Sequence, residues 1–156
     1  MLVAKKLTAM GLTLPESVAP VANYETAVLD RGILYCSGTT CMENGKPKYK
    51  GRVGEDVTLE EAYEAARITA LNLLSTVKSK IGDLDRIERI VKLLGFVNSA
   101  PSFHWQPEVI NGALDLFVEL LGERGRHARS AIGTDNLPMN IPVEIEMIVR
   151  IKEEQG

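Results

Sequence analysis

The amino-acid sequence predicts a single α+β domain in which two helices cover one face of a β-sheet. Three observations predict this class. Segments with strand or helix periodicity follow one another in the order strands, helix, strand, helix, strands. Residues 58–80 and 107–121 repeat apolar side chains at helical spacing, and residues 143–151 alternate as a strand does. The length of 156 residues fits one domain, 1–156, with an N-terminal extension over 1–20.

The first part of the chain predicts a short helix, an irregular stretch and two hairpins. Residues 1–23 begin with the short helix and then become irregular around prolines. Residues 24–28 and 33–37 read as strands around the turn Asp30-Arg31-Gly32, where glycine tolerates a positive φ. Asn-Gly within 43–46 is a strong hairpin signal and predicts a second turn.

The first long helix is expected over residues 58–80. Thr58 and Glu61 have capping-box spacing, so each side chain can bind a free backbone amide of the first turn. Gly82 is expected to end the helix. The residues that should form its buried face are Ala62, Ala65, Ala66, Thr69, Leu73, Val77 and Ile81.

A strand over 86–97 and a second helix over 107–121 follow. The strand is rich in Ile, Val and Leu. Pro107 suits the first turn of the helix, and Gly122 and Gly125 should end it. The residues that form the apolar face of this helix are Val109, Ile110, Ala113, Leu116, Phe117, Leu120 and Leu121.

The last strand, 143–151, has one fully apolar face that should pack on the helices. Its other face carries Glu144, Glu146, Ile148 and Arg150, so it is neither wholly polar nor wholly apolar. A partly apolar sheet face without helices is normally buried by another chain. We therefore expect self-association, and subunit interfaces are common places for ligand pockets.

The composition excludes several function classes. Hydrophobic residues make up 45% of the chain and charged residues 25%, as in ordinary soluble proteins. The net charge of −3 argues against a nucleic-acid partner, which requires a basic surface. We find no signal-peptide run and no apolar stretch of about 18 residues, so we expect a cytoplasmic protein without a membrane span. Cys36 and Cys41 lack the partners of a zinc site and are expected to be reduced thiols.

Arg129 and Glu146 are the main candidates for ligand binding and catalysis. Arg129 lies between small residues at the start of an expected strand, where its guanidinium could bind a carboxylate through two hydrogen bonds. The alternative is a structural ion pair with Glu144 or Glu146. Glu146 could orient or deprotonate a water molecule, or it could be the structural partner of an arginine. Arg124 and Arg126 are expected to be solvated loop charges.

Several short motifs resemble the reactive intermediate deaminase (Rid, or YjgF-like) family over about residues 18–151. The motifs are Tyr24, then Tyr35-Cys36-Ser37-Gly38, Gly82-Asp83-Leu84, Phe96-Val97, His127-Ala128-Arg129-Ser130, Leu137-Pro138 and Val143-Glu144-Ile145-Glu146. The Ala-Arg-Ser step followed by a terminal Glu-x-Glu strand is fairly specific. The longer N-terminus and the stretch 48–56 resemble a longer subgroup of this family.

The resemblance implies a chorismate-mutase-like fold with a single mixed sheet. It also implies a homotrimer with a central barrel and three clefts between subunits. The activity it implies is the hydrolysis of 2-imino or enamino acids, such as 2-iminopropanoate, to 2-keto acids and ammonia, which repairs metabolite damage. No metal or organic cofactor is implied.

The same resemblance implies roles for particular residues. Arg129 would hold the substrate carboxylate, and Glu146 would position the attacking water. The residues that would line the rest of the pocket are Tyr24, Ser37, Gly38 and Asn111. Tyr24 and Ser37 are otherwise ordinary strand or turn residues, and Gly38 could free a backbone amide for a ligand oxygen.

Two positions depart from the family pattern, because His127 and Ala131 replace a proline and a cysteine. His127 could tune binding beside Arg129, or it could be a loop histidine bonded to backbone. Three hypotheses follow: an imine deaminase, a trimer that binds a small carboxylate without turnover, and an endoribonuclease or translation inhibitor. The acidic charge balance and the single Trp105 place the third hypothesis last.

Overall fold

The structure is a computed structural model that describes residues 2–17 and 23–154. Its helices are α1 (Leu2–Ala9), α2 (Leu59–Ile81) and α3 (Gln106–Leu121). Its strands are β1 (Ala27–Asp30), β2 (Ile33–Thr39), β3 (Met42–Glu43), β4 (Lys46–Pro47), β5 (Ile87–Asn98), β6 (Ala128–Thr134) and β7 (Val143–Ile151). Part of the irregular stretch expected before residue 23, over 18–22, lies outside the described residues.

The main sheet has five strands in the order β1-β2-β7-β5-β6. β5 and β6 run parallel and are joined through α3, whereas the other neighbouring pairs are antiparallel. The sheet is therefore mixed, with β1 and β6 at its edges. β3 and β4 form a separate hairpin, whose turn has φ values of 54° at Asn44 and 83° at Gly45. These features confirm the α+β class, a mixed sheet and the second turn predicted from Asn-Gly.

Helix α2 begins and ends close to where its sequence signals place it. The Thr58 hydroxyl accepts from the Glu61 amide at 3.1 Å, and the Glu61 carboxylate accepts from the Thr58 amide at 3.0 Å. Gly82 forms the C-cap with φ at 86°. All the residues predicted for the buried face are buried, because an apolar stripe along a helix faces the core.

Helix α3 is held close to both α2 and the sheet by two glycines. A Cβ at Gly112 would collide with the Tyr63 carbonyl oxygen of α2. A Cβ at Gly95 of β5 would lie 2.6 Å from Ile110 of α3. Both glycines therefore permit the close approach that fixes α3, and with it Asn111, relative to the sheet. Gly122 ends α3, whereas Gly125 lies at the end of a following 3-10 turn, which corrects the prediction that both glycines end the helix.

The first hairpin differs from its prediction at both strand ends. β1 begins at Ala27, so Tyr24 precedes the strand and does not belong to it. Asp30 pairs with Ile33, which leaves a two-residue turn. Arg31 and Gly32 have φ values of 52° and 79°, the geometry that matches the twist of a tight hairpin. This turn extends the pairing by two residues beyond the predicted end of the first strand.

The N-terminal helix α1 is a third helix beside α2 and α3. The Asp85 carboxylate accepts from the backbone amides of Leu2 and Val3 at 2.6 and 2.8 Å. These bonds satisfy amides that the first turn of a helix cannot pair internally. Asp85 belongs to a 3-10 turn, Leu84–Arg86. The 8 residues of α1 bury Val3 and Leu7 in the core.

Strand β7 matches its prediction at both ends. The residues of its apolar face, Val143, Ile145, Met147, Val149 and Ile151, are all buried. Its other face carries half-buried Glu144 and Ile148 and exposed Glu146 and Arg150, and none of the helices formed by the described residues covers it. Within the described parts of the chain, no helix is both long and apolar enough to cross a membrane.

Candidate functional site

Arg129 lies on the edge strand β6, on the face that the helices cover. It is paired in register with Leu93, whose side chain is fully buried in the core. The Arg129 Nη1 donates to Asn111 Oδ1 of α3 at 2.7 Å. A longer contact, at 3.4 Å, joins Nη1 to the Pro107 carbonyl oxygen. The structure thus brings together Arg129 and Asn111, two of the predicted site residues.

Within the part of the chain that the structure describes, the Arg129 guanidinium has no anionic partner. Among residues 2–17 and 23–154, the ion pairs are formed by other side chains, and none joins Arg129 to a carboxylate. The predicted alternative, an ion pair with Glu144 or Glu146, is therefore not formed within the chain. A half-buried guanidinium held by a neutral amide keeps donors available for a carboxylate.

Ser37 and Gly38 form a bulge in β2, opposite β7. The register between these strands shifts between Cys36 and Thr39, so two residues of β2 oppose one residue of β7. The Ser37 hydroxyl donates to the Glu25 carbonyl oxygen at 2.6 Å, and the Ser37 amide donates to Thr26 at 2.9 Å. These bonds hold the segment that carries Tyr24, which is 49% exposed, beside the bulge.

Glu144 lies directly against this bulge. A Cβ built on Gly38 would be 3.0 Å from Glu144 Cδ and 3.1 Å from its Oε2. Burial raises the pKa of the Glu144 carboxyl, and the nearby charge of Glu146 raises it further. The alternation of β7 places Glu144 and Glu146 on one face, so the sequence alone did not favour Glu144 over Glu146. The glycine at position 38 was the only sequence signal that could have distinguished them.

Glu146 lies on the open face of the sheet and is exposed. It is paired in register with Leu94, two residues after Lys92 of β5. Glu146, Lys92 and Leu94 line a shallow concavity of about 290 Å³, together with Tyr35 and Ile148. This surface combines a carboxylate, an ammonium group and apolar side chains.

The predicted residues form two separate groups within the chain. Arg129 and Asn111 lie at the β6 edge on the helix side. Ser37 and Gly38 lie in β2, with the segment that carries Tyr24 beside them. Strands β7 and β5 separate β2 from β6. Three strand spacings of about 4.8 Å put these groups roughly 14 Å apart. The carboxylates of β7 face the side without helices, so one chain does not bring Glu146 to Arg129.

His127 packs against α3 just before β6. Its Nδ1 donates to the Gly125 carbonyl oxygen at 2.7 Å, and its ring meets Phe117 edge-on at 6.2 Å. Burial lowers the His127 pKa; the Gly125 bond opposes this effect and the Arg129 charge adds to it. Of the two alternatives, the structure shows the loop histidine bonded to backbone. Its Nε2 is buried without a hydrogen-bond partner among the described residues.

The two cysteines and the two arginines before His127 are held by contacts within the fold. Both cysteines are buried free thiols, and burial raises the pKa of Cys36 to about 12, so this thiol stays protonated. Arg124 is half-buried and donates to the Ile87 carbonyl oxygen at 2.6 Å, which corrects the prediction that it is a solvated charge. Arg126 is exposed and pairs with Glu123 at 3.1 Å.

The sequence of residues 4–150 matches a family described as "YjgF/chorismate mutase-like, putative endoribonuclease". A curated relative, "Protein TCP17" of Trypanosoma cruzi, is 41% identical over 150 residues, 96% of this chain and 94% of its own length. The match covers nearly the whole of both chains.

Two solved structures share both sequence and fold with this chain. Protein Atu1372 of Agrobacterium tumefaciens, described as of unknown function, is 45% identical with a TM-score of 0.91, covering 97% of this chain and 93% of its own. A "putative endoribonuclease" from Shewanella oneidensis is 34% identical with a TM-score of 0.93, covering 97% and 100%. RidA from an Antarctic Psychrobacter species shares the fold at 23% identity, with a TM-score of 0.62 and coverage of 87% and 94%.

Proposed function

Because the chain belongs to the YjgF-like Rid family, we propose that it hydrolyses small 2-imino acids to 2-keto acids and ammonia. The observation that carries the proposal is the Arg129 guanidinium, which Asn111 holds at 2.7 Å and which no carboxylate among the described residues neutralises. A planar guanidinium recognises a carboxylate through paired hydrogen bonds. The substrate carboxylate would bind to the guanidinium, where an internal carboxylate partner would otherwise lie.

The site would be completed by a second copy of the chain. The Arg129 group and the Gly38 group lie on different strands and do not meet within one protomer. The open sheet face carries exposed Tyr35 and half-buried Ile148, an apolar surface that a second copy can bury. In the homotrimer that the family resemblance implies, Arg129 and Asn111 of one protomer would face Tyr24, Ser37 and Gly38 of the next.

The reaction needs only the imine and water. Water adds to the carbon of the C=N bond, its proton passes to nitrogen, and the resulting carbinolamine expels ammonia to leave the keto acid. A carboxylate near that carbon orients the water and accepts its proton. The role was assigned to Glu146 from the sequence, but Glu144 is the stronger candidate. Its half-buried carboxyl lies against Gly38, and burial raises its pKa, which makes the carboxylate a stronger base.

The test is a coupled assay with the purified full-length protein. An amino-acid oxidase generates 2-imino acids, semicarbazide traps them, and the loss of trapped product reports hydrolysis. We expect loss of product with the wild type and almost none with Arg129→Ala. Arg126→Ala, which removes an exposed arginine three residues away, is the matched control and should behave as the wild type does.

Two outcomes would change the proposal. Equal hydrolysis by the wild type and Arg129→Ala would contradict the pocket. No hydrolysis of any imine, combined with keto-acid binding that Arg129→Ala abolishes, would leave a protein that binds small carboxylates without turnover.

A further inference from the structure

We propose that Trp105 forms one wall of the Arg129 pocket and selects 2-imino or 2-keto acids with a large apolar side chain. The inference rests on the proposed function, because Arg129 is taken to fix the position of the carboxylate. Trp105 is the single tryptophan of the chain, and its side chain is 54% exposed. An indole left this open to water gains free energy when an apolar ligand covers it.

The Trp105 indole is held in place although it is exposed. Its ring meets the buried ring of Phe103 edge-on, with centroids 5.7 Å apart and planes at 67°. The next residue, Gln106, donates from Nε2 to the Phe103 carbonyl oxygen at 2.9 Å and to Ser99 Oγ at 3.3 Å. A ring fixed on one side and open on the other is suited to contact a ligand without a large loss of side-chain entropy.

The segment that carries Trp105 is joined to Arg129 through the first turn of α3. Trp105 immediately precedes α3, and the Pro107 carbonyl oxygen lies 3.4 Å from Arg129 Nη1. With Cα atoms about 3.8 Å apart along the chain, the Trp105 Cα lies within roughly 13 Å of the guanidinium. A ligand of amino-acid size bound at the guanidinium could therefore reach the segment that carries Trp105.

The part of β6 that follows Arg129 offers little side-chain volume on the helix-covered face. Ala131 follows Arg129 on the same face of β6, because it is paired with Gly95, whose position faces Ile110 of α3. Ala131 ends at Cβ, so a ligand bound through its carboxylate can extend along the β6 edge. A methyl substituent would end before the indole, whereas a branched or aromatic substituent would reach it.

The first test measures binding by the fluorescence of Trp105, which is the only tryptophan present. The probes are 4-methyl-2-oxopentanoate and pyruvate, two stable 2-keto acids that differ in side-chain size. We expect the larger acid to change the emission and to half-saturate at about tenfold lower concentration than pyruvate, from its extra buried carbon atoms. The response should disappear in Arg129→Ala.

The second test measures hydrolysis of the imines made from leucine and from alanine. Trp105→Ala should lower the ratio of their kcat/KM values by about tenfold, the usual scale of discrimination by an apolar pocket. Trp105→Phe keeps an aromatic wall and should retain most of the ratio. Leu2→Ala, which shortens a side chain that is 76% exposed on α1, is the matched control and should leave the ratio unchanged.

The outcomes separate this inference from the proposed function. Selective binding of the larger keto acid without hydrolysis of either imine would contradict the proposed deaminase activity and support Trp105 as a wall of the pocket. Hydrolysis with an unchanged kcat/KM ratio in Trp105→Ala would overturn the inference alone. Blue-shifted emission in the free protein that neither acid alters would assign Trp105 to the contact between copies and would also overturn it.

Discussion

Arg129 of the edge strand β6 donates a hydrogen bond to the side-chain oxygen of Asn111 in α3 at 2.7 Å. The bond joins a cation to a neutral acceptor, so it orients the guanidinium without cancelling its charge. The approach of α3 to the sheet depends on Gly95 and Gly112, which make this contact possible. The orientation of the proposed carboxylate-binding group therefore follows from core packing.

Asn111→Ala should weaken binding of the substrate carboxylate while leaving the fold intact. The guanidinium would lose its fixed orientation, and a hydrogen bond to a charged group contributes about 1.5–3 kcal/mol. We expect KM to rise by about tenfold or more, with a smaller change in kcat, in the semicarbazide assay. Asn136→Ala, in the exposed loop after β6, is the control. A KM unchanged by Asn111→Ala would show that this bond does not orient the substrate.

Gly38→Ala should lower hydrolysis more than it lowers stability. The added Cβ would lie 3.0 Å from Glu144 Cδ and would push the carboxyl group away from the bulge. No positive φ is required at this position, so alanine adds no left-handed strain there. We expect a fall in kcat of at least tenfold, of the order seen for displaced catalytic groups, with a Tm close to that of the wild type. Normal kcat in Gly38→Ala would remove Glu144 from the mechanism.

Glu144→Gln should abolish hydrolysis and stabilise the fold slightly at neutral pH. Burial raises the Glu144 pKa in the folded protein, so the folded state holds the proton more tightly than the unfolded chain does. The resulting stability is present at acid pH and is lost as pH rises through the raised pKa. The glutamine variant should therefore unfold at higher urea than the wild type at pH 7, with the difference shrinking toward pH 4. Glu146→Gln, at an exposed position, should show a smaller shift.

Below neutral pH, the dependence of protein stability on pH should reflect the protonation of His127. Burial lowers the His127 pKa, so the unfolded histidine takes up a proton at a higher pH than the folded one. Stability should fall as pH drops from the ordinary histidine pKa, near 6.5, through the lowered value. His127→Gln should flatten this part of the urea-midpoint profile, and His104→Gln, at an exposed position, should not. Equal slopes in the two variants would contradict a buried neutral His127.

The sequence predicted the helices and the last strand because their signals are local. A capping box at Thr58, a glycine at 82 and a two-residue alternation over 143–151 each act within a few neighbouring residues. The predicted C-terminal end of β1 was two residues too early because the backbone geometry of Arg31 and Gly32 decides where pairing stops, and a turn motif alone does not specify it.

The site was harder to predict because its geometry is tertiary. Alternation places Glu144 and Glu146 on one face, and only the bulge at Gly38 distinguishes a half-buried carboxyl from an exposed one. The side of the sheet occupied by Arg129 depends on its pairing with Leu93, which no local pattern in β6 reveals. The separation of the two groups within the chain follows from a strand order that the sequence did not predict.

In the proposed assembly, each site takes Arg129 from one copy of the chain and Glu144 from another. The most direct measurement mixes Arg129→Ala and Glu144→Gln protein, each inactive alone, unfolds and refolds them together, and assays imine hydrolysis. In a cyclic trimer assembled at random from equal amounts, about a quarter of the interfaces would carry both native residues. We expect recovery of about a quarter of wild-type activity. Mixed oligomers that form but remain inactive would contradict a site shared between copies.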